Sequence, residues 1–213
     1  MYIPSAYAPD LPGTAAAVMA RFPFATLVSQ DNGHLCATHV PLRFEAKAGT
    51  YGSLFGHVAR ANPQGLILQP DRETLAIFHG PHAYVSPTLY AQHPAVPTWH
   101  HVTVHATGFP RVLTDPAEIL RHLAALVGDF ESGPNSWSMN GIPTEYLDRM
   151  LGGIVAFELV LCRIETQCKL GQKRSDTDRT QVAQGLRATG NPMDAAVADW
   201  MESFPSAPAL LQP

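Results

Sequence analysis

The sequence predicts an α+β protein in which an antiparallel sheet rolls into a small barrel with helices packed outside. Consecutive strand-like stretches are joined by turns too short for parallel crossovers. Nineteen prolines and sixteen glycines in 213 residues punctuate the chain into many short elements. Hydrophobic residues make up 46% and charged residues only 15%, which excludes a disordered chain and leaves an uncharged surface suited to a buried dimer face.

The first element is a short helix over residues 9–21, with Asp10 as its cap and Leu11, Ala15, Val18 and Met19 near helical spacing. A strand over 24–29, the turn Asp31-Asn32-Gly33 and a returning strand over 35–44 make a hairpin. After the turn Lys47-Ala48-Gly49 comes a third strand over 51–58, then a short helix over 59–68 and a fourth strand over 74–79 that stops at Gly80-Pro81. The long loop 81–97 carries Tyr84, Ser86 and Tyr90, and loops of that length are usually functional or mobile. In the fifth strand, 99–112, alternation sets Val102, Val104 and Ala106 on one face and His101, Thr103 and His105 on the other. Asp115-Pro116 opens a helix to about 129, a second helix spans 143–151, and a sixth, central strand spans 154–164. Helices over 176–188 and 191–204 close the chain before a frayed tail, 205–213.

Fourteen Lys and Arg against eighteen Asp and Glu leave a formal charge of −4, so a sequence-independent grip on DNA through net charge is not expected. No window of eighteen apolar residues exists and Met1-Tyr2-Ile3-Pro4 is no secretory signal, which predicts a protein without a membrane span. Three cysteines without a CxxC pattern fit a cytoplasmic location. Nucleotide-binding glycine loops, HExxH and GxSxG are all missing from the sequence.

Four clusters could carry chemistry. His57-Val-Ala-Arg60-Ala-Asn62-Pro63 joins a strand end to a helix start, where free amides and one guanidinium suit a phosphate monoester or simply cap a helix. Six of ten histidines (His79, His82, His93, His100, His101 and His105) fall within 27 positions, but alternation separates His100 from His101 and no carboxylate lies among them, so a polar strand face outweighs a metal site. Trp99 with Tyr84 and Tyr90 could stack on a flat heterocycle or fill a core. Lys169-Leu-Gly-Gln-Lys-Arg174 is a basic turn in an acidic protein, an anion site or a solvated corner.

Taken in order and spacing, His57 to Pro63, Ile77 to Pro87, Val96-Pro-Thr-Trp99 and Lys169 to Arg174 resemble the PaiB-type family of FMN-binding negative transcriptional regulators, also called protease synthase and sporulation negative regulatory proteins. The Met-Tyr-Ile-Pro start and the Asp178 to Leu186 segment match as well, so the resemblance runs to about residue 200. It implies an antiparallel split β-barrel with peripheral helices, of the pyridoxamine-phosphate-oxidase-like and flavin-reductase-like kind. It implies a homodimer holding FMN at the subunit interface. In domain terms it implies an FMN-binding domain over 1–170, a C-terminal helical pair over 171–204 and the tail 205–213. Carried onto this chain, Arg60 with His57 and Asn62 would lie toward the phosphate. Ser86, Thr98 and Trp99 would approach the ring or ribityl chain, and Lys169, Gln172 and Arg174 the dimer seam. The chain departs from the family at His100-His101, where Asn-Tyr is usual, and at Gly171 and Lys173, where Ser and Asn are usual. It also has a shorter 90–96 loop.

The resemblance leaves three functions in view. The first is a flavin-dependent oxidoreductase or redox sensor, with the catalytic residues unassigned and His79 or His101 as acid–base candidates. The second is a repressor, whose helix-turn-helix-like stretch, 181–201, has no Lys or Arg in its second half to read bases, so direct DNA binding is not expected. The third is a haem- or metal-binding relative, or a dimeric scaffold that has lost its cofactor.

Overall fold

A computed structural model describes residues 1–9, 13–47, 49–131 and 133–204. The expected Asp10 cap and the 205–213 tail lie outside the described residues. Helix α1 is Thr14–Arg21. Strands β1, Phe24–Asp31, and β2, His34–Pro41, form the expected hairpin, with Asn32 and Gly33 both at positive φ in the turn. Then come β3, Arg43–Glu45; β4, Ser53–Ala59; α2, Gln64–Ile67; and β5, Thr74–Val85. Strand β6, Thr98–Val112, is followed by α3, Pro116–Phe130, and α4, Thr144–Gly152. Strand β7 is Ile154–Lys169, and α5, Asp176–Ala188, and α6, Pro192–Ser203, complete the order.

One seven-stranded sheet runs β2-β1-β5-β6-β7-β4-β3, and its resolved registers are antiparallel. The α+β class holds, but the expected barrel does not: the sheet is open, with β2 and β3 as its ends and no ladder between them. The predicted strand 35–44 divides at the fully buried Leu42: the part before it pairs with β1 and the part after it with β4, so one run of chain supplies both ends of the sheet. The two end strands are thus successive in the chain and joined by one residue instead of by hydrogen bonds.

Two other strands exceed their expected limits. β5 continues through Gly80-Pro81 to Val85 because Gly80 lies against β6, where a Cβ would come within 2.9 Å of Val102 O. β7 runs five residues past Ile164 to Lys169. The remaining helix starts follow the sequence signals. Asp115 Oδ1 accepts from Ala117 N at 3.1 Å, Ser175 Oγ from Asp178 N at 3.2 Å, and Asn191 Oδ1 from Met193 N at 2.9 Å.

Two compact units divide the chain. The first comprises Met1–Arg21, His79–Val104 and Glu165–Pro213, and the second Phe22–Phe78 and His105–Ile164. The first unit buries Val18, Met19, Val102, Leu170, Leu186 and Met201, and in it α5 packs on α6. The second buries Leu27, Leu42, Leu54, Phe78, Phe157 and Leu159. No helix among the described residues is long and apolar enough to cross a membrane.

Candidate functional site

Within the first unit, the start of β6 separates two recesses by strand alternation. Thr98 and His100 face one, and Trp99 faces the other.

The Thr98 side is a cavity of about 170 Å³ with Tyr7, Tyr90, Lys169, Gly171, Lys173 and Arg174 among its walls. Lys169, at the end of β7, donates from Nζ to Thr98 Oγ1 at 2.7 Å and stands 6.0 Å from the Tyr7 ring centroid. The turn that follows is set by Gly171, at φ +78°, and by Gln172. Buried Gln172 accepts from Leu170 N at 2.8 Å and donates to Cys168 O, so its amide builds the turn and does not face the cavity. Arg174 lies 4.1 Å over the Tyr90 ring. Burial raises the Tyr90 phenol, and the adjacent Arg174 partly opposes that rise. His100 is 2% exposed and held down to about 4, first by burial and then by the charges of Lys169, Arg179, His101 and Arg174. It is therefore neutral at pH 7.

The Trp99 side is a cleft of about 690 Å³ lined by His82, Tyr84, Ser86, Leu89, Gly185 and Met193. Trp99 and Tyr84 meet edge to face at 5.9 Å, and both are about half exposed (55% and 51%). Ser86 Oγ caps the short 3-10 turn Pro87–Leu89 by accepting from Thr88 N at 3.2 Å. Asp178, in the first turn of α5, pins the loop beyond it by accepting from Ala91 N at 2.7 Å and Gln92 N at 3.2 Å. His101 is half-buried, 3.5 Å from Thr103 Oγ1, and burial again lowers its pKa ahead of Lys169 and His82.

The first motif belongs to the second unit. Arg60 donates to the carbonyls of Gly152 and Ile154. Asn62 donates to Thr38 Oγ1 at 3.0 Å and accepts from Gln64 N at 2.9 Å. His57 borders a narrow apolar recess with Phe55, Ile119 and His122, and burial lowers its pKa.

Of the nine expected site residues, then, Thr98, Lys169 and Arg174 meet at one cavity, and Ser86 and Trp99 share one cleft. Gln172 is absorbed by its own turn, Arg60 bonds the α4–β7 junction, Asn62 bonds Thr38, and His57 borders the apolar recess. Tyr7 and the clamp from Asp178 went unread. Tyr7 is 162 residues from Lys169, and an acidic residue in a first helical turn looks like an ordinary dipole partner. The histidine cluster does not converge, and no three His, Cys, Asp or Glu among the described residues gather as metal ligands.

Residues 1–163 match the family model described as "Putative FMN-binding domain". The chain belongs to this family. The chain is also 33% identical to Protease synthase and sporulation protein PAI 2 of Bacillus subtilis (strain 168), over 182 residues that cover 84% of this chain and 86% of the relative. The PaiB-type resemblance read from four motifs therefore holds. Among solved structures, this family member resembles the flavocytochrome Anf3 from Azotobacter vinelandii, with a TM-score of 0.58, 14% identity, and coverage of 78% of this chain and 70% of that one. It also resembles the FAD- and haem-binding protein from Mycobacterium smegmatis, with a TM-score of 0.57, 15% identity, and coverage of 81% and 78%. At these identities the two structures show a shared fold.

Proposed function

We propose that the protein binds FMN between two copies of the chain and uses the flavin's redox state for regulation. The observation that carries the reading is the 690 Å³ cleft walled by the rings of Trp99 and Tyr84 with the Ser86 hydroxyl at its edge. Its size suits a cofactor, and aromatic faces with few polar groups are the usual lining of such sites. Half-exposed Trp99 and Tyr84 and the 70% exposed Val96 leave apolar surface for a second copy to cover. Bound flavin would supply one- and two-electron chemistry. The chain's own residues would orient it: Trp99 and Tyr84 by packing and Ser86 by hydrogen bonding.

Regulation by this route needs no base reading. Arg187, the basic residue in the last turn of α5, is engaged by Asp199 at 2.8 Å and Glu202 at 2.6 Å. The second helix of the pair therefore offers acidic groups, and a partner protein or a metabolite signal is the expected route.

The test is dialysis of untagged protein against FMN, followed by visible absorption and light scattering. Retained flavin bands at a dimer mass, lost in Trp99→Ala, are expected. A featureless spectrum after dialysis, or flavin retained at full occupancy by Trp99→Ala, overturns the assignment. A Soret band formed with added haem would favour the haem-binding alternative.

A further inference from the structure

The cavity on the other face of β6 gathers three cations, Lys169, Lys173 and Arg174. Among the described residues, Lys169, Lys173 and Arg174 form no ion pair. Lys169 is held by the Thr98 hydroxyl and lies near the Tyr7 ring, and Arg174 is held by the Tyr90 face. A hydroxyl and two π-faces orient a cation without cancelling its charge, so the potential stays directed into the cavity. Asp178, the carboxylate that acts on Tyr90, has one oxygen committed to the Ala91 and Gln92 amides.

His100 lines the same cavity and is 2% exposed. Its Nδ1, sealed from solvent and without a partner among the described residues, is a hydrogen-bonding atom that these residues leave unused. Gly171 admits this imidazole: a Cβ there would stand 3.0 Å from His100 Cε1 and 3.4 Å from Nε2, at a φ of +78°. His100 and Gly171, two of the chain's departures from its family's usual residues, thus fit one another. The cavity's 170 Å³ equals about five or six waters at roughly 30 Å³ each, enough for a tetrahedral oxyanion.

We infer that this cavity is a phosphate-binding site, with Lys169, Lys173 and Arg174 supplying charge and Thr98 and His100 supplying neutral hydrogen-bonding walls. The guanidinium fork gives the bidentate geometry that phosphate oxygens accept. The phosphate has two chemical sources, the monoester of FMN or a separate phosphorylated small molecule. The inference does not rest on the flavin reading.

The test is calorimetric titration of the full chain with inorganic phosphate, in parallel with FMN and riboflavin, on wild type, Arg174→Gln and Lys173→Gln. Lys173 is exposed, so its variant keeps the test valid should Arg174→Gln misfold. Saturable phosphate binding, weakened about ten-fold in either variant, is expected. Competition between phosphate and FMN, with FMN's advantage over riboflavin falling about ten-fold in Arg174→Gln, supports the site with the cofactor as source. Phosphate binding that leaves FMN unaffected, or that persists when no flavin binds, supports it with a second ligand as source. Failure of wild type to bind phosphate saturably, together with FMN-to-riboflavin ratios unchanged in both variants, overturns the site even if flavin itself binds.

Discussion

Arg60 donates Nε to the carbonyl of Gly152 and Nη2 to that of Ile154, each at 2.5 Å, while its own amide reaches Gly153 O at 2.8 Å. The last carbonyls of a helix lack intrahelical partners, so a guanidinium there ties the end of α4 to the start of β7. Arg60→Ala should therefore destabilise the fold by about 1–2 kcal/mol, because Arg60 is exposed and water replaces part of what is lost. That corresponds to a fall in melting temperature of roughly 2–8 °C for a chain of this size. Arg60→Lys, which cannot fork, should recover only part of it. An unchanged melting temperature would release the guanidinium for the anionic role its sequence setting suggests.

What the sequence made legible was local. Alternation and the Asn-Gly turn are sufficient for the β1–β2 hairpin, whose register pairs Gln30 with Leu35 and Asp31 with His34. Asp115-Pro116 and Asn191-Pro192 are sufficient for two helix starts. The break at Leu42 was hidden because its apolar pattern continues, while the change of pairing partner that divides it, from β1 to β4, lies outside the segment. Gly80-Pro81 reads as a stop, yet close packing on Val102 makes the glycine a strand residue. At the site, the basic run from Lys169 and the aromatic Trp99 were visible as types. What Arg60 bonds was not, since its carbonyls arrive more than ninety residues later.

Gln64 is fully buried, and its Nε2 donates to Leu27 O at 3.0 Å and to Ser29 Oγ at 3.1 Å. This amide fastens the short α2 to β1, where Ser29 in turn stands 3.1 Å from the Thr74 hydroxyl. Gln64→Leu keeps the bulk but takes the donor from Leu27 O and Ser29 Oγ, of which Ser29 retains Thr74, a loss of about 1–2 kcal/mol. Gln64→Glu should cost more, since a carboxylate cannot donate and is charged in a dry site. Urea unfolding checks both, with the midpoint falling in the order wild type, Leu, Glu.

His100 makes stability depend on acid. Its folded value lies near 4, whereas the unfolded chain titrates near 6.5. Between those values the unfolded state takes up the proton and the folded state does not, so the contribution is complete above about pH 6.5 and is lost as pH falls toward 4. The gap amounts to about 3 kcal/mol. Burial lowers His57 and His122 as well, so His100→Asn should flatten the profile without abolishing it. Denaturant midpoints from pH 8 to 4 would show the mutant and wild-type curves converging at the acid end. Parallel curves would mean that His100 takes up its proton equally in the folded and unfolded states.

The cysteines should separate by reactivity. Thiolate is the reactive form, and access is needed as well. Burial pushes the Cys168 thiol up to about 12, and it is 0% exposed at the end of β7. Cys162 lies six residues earlier on the same strand, is exposed, and donates only a weak bond to Thr107 O at 3.4 Å. Iodoacetamide on native protein should modify Cys162 first and the half-buried Cys36 more slowly. Cys168 should react only in denaturant, as read by peptide mass. Equal rates at Cys162 and Cys168 would mean that the end of β7 opens in the native state. Protection of Cys162 that disappears on dilution would instead place a second copy of the chain over the outer face of this strand, the arrangement a flavin-binding dimer could use.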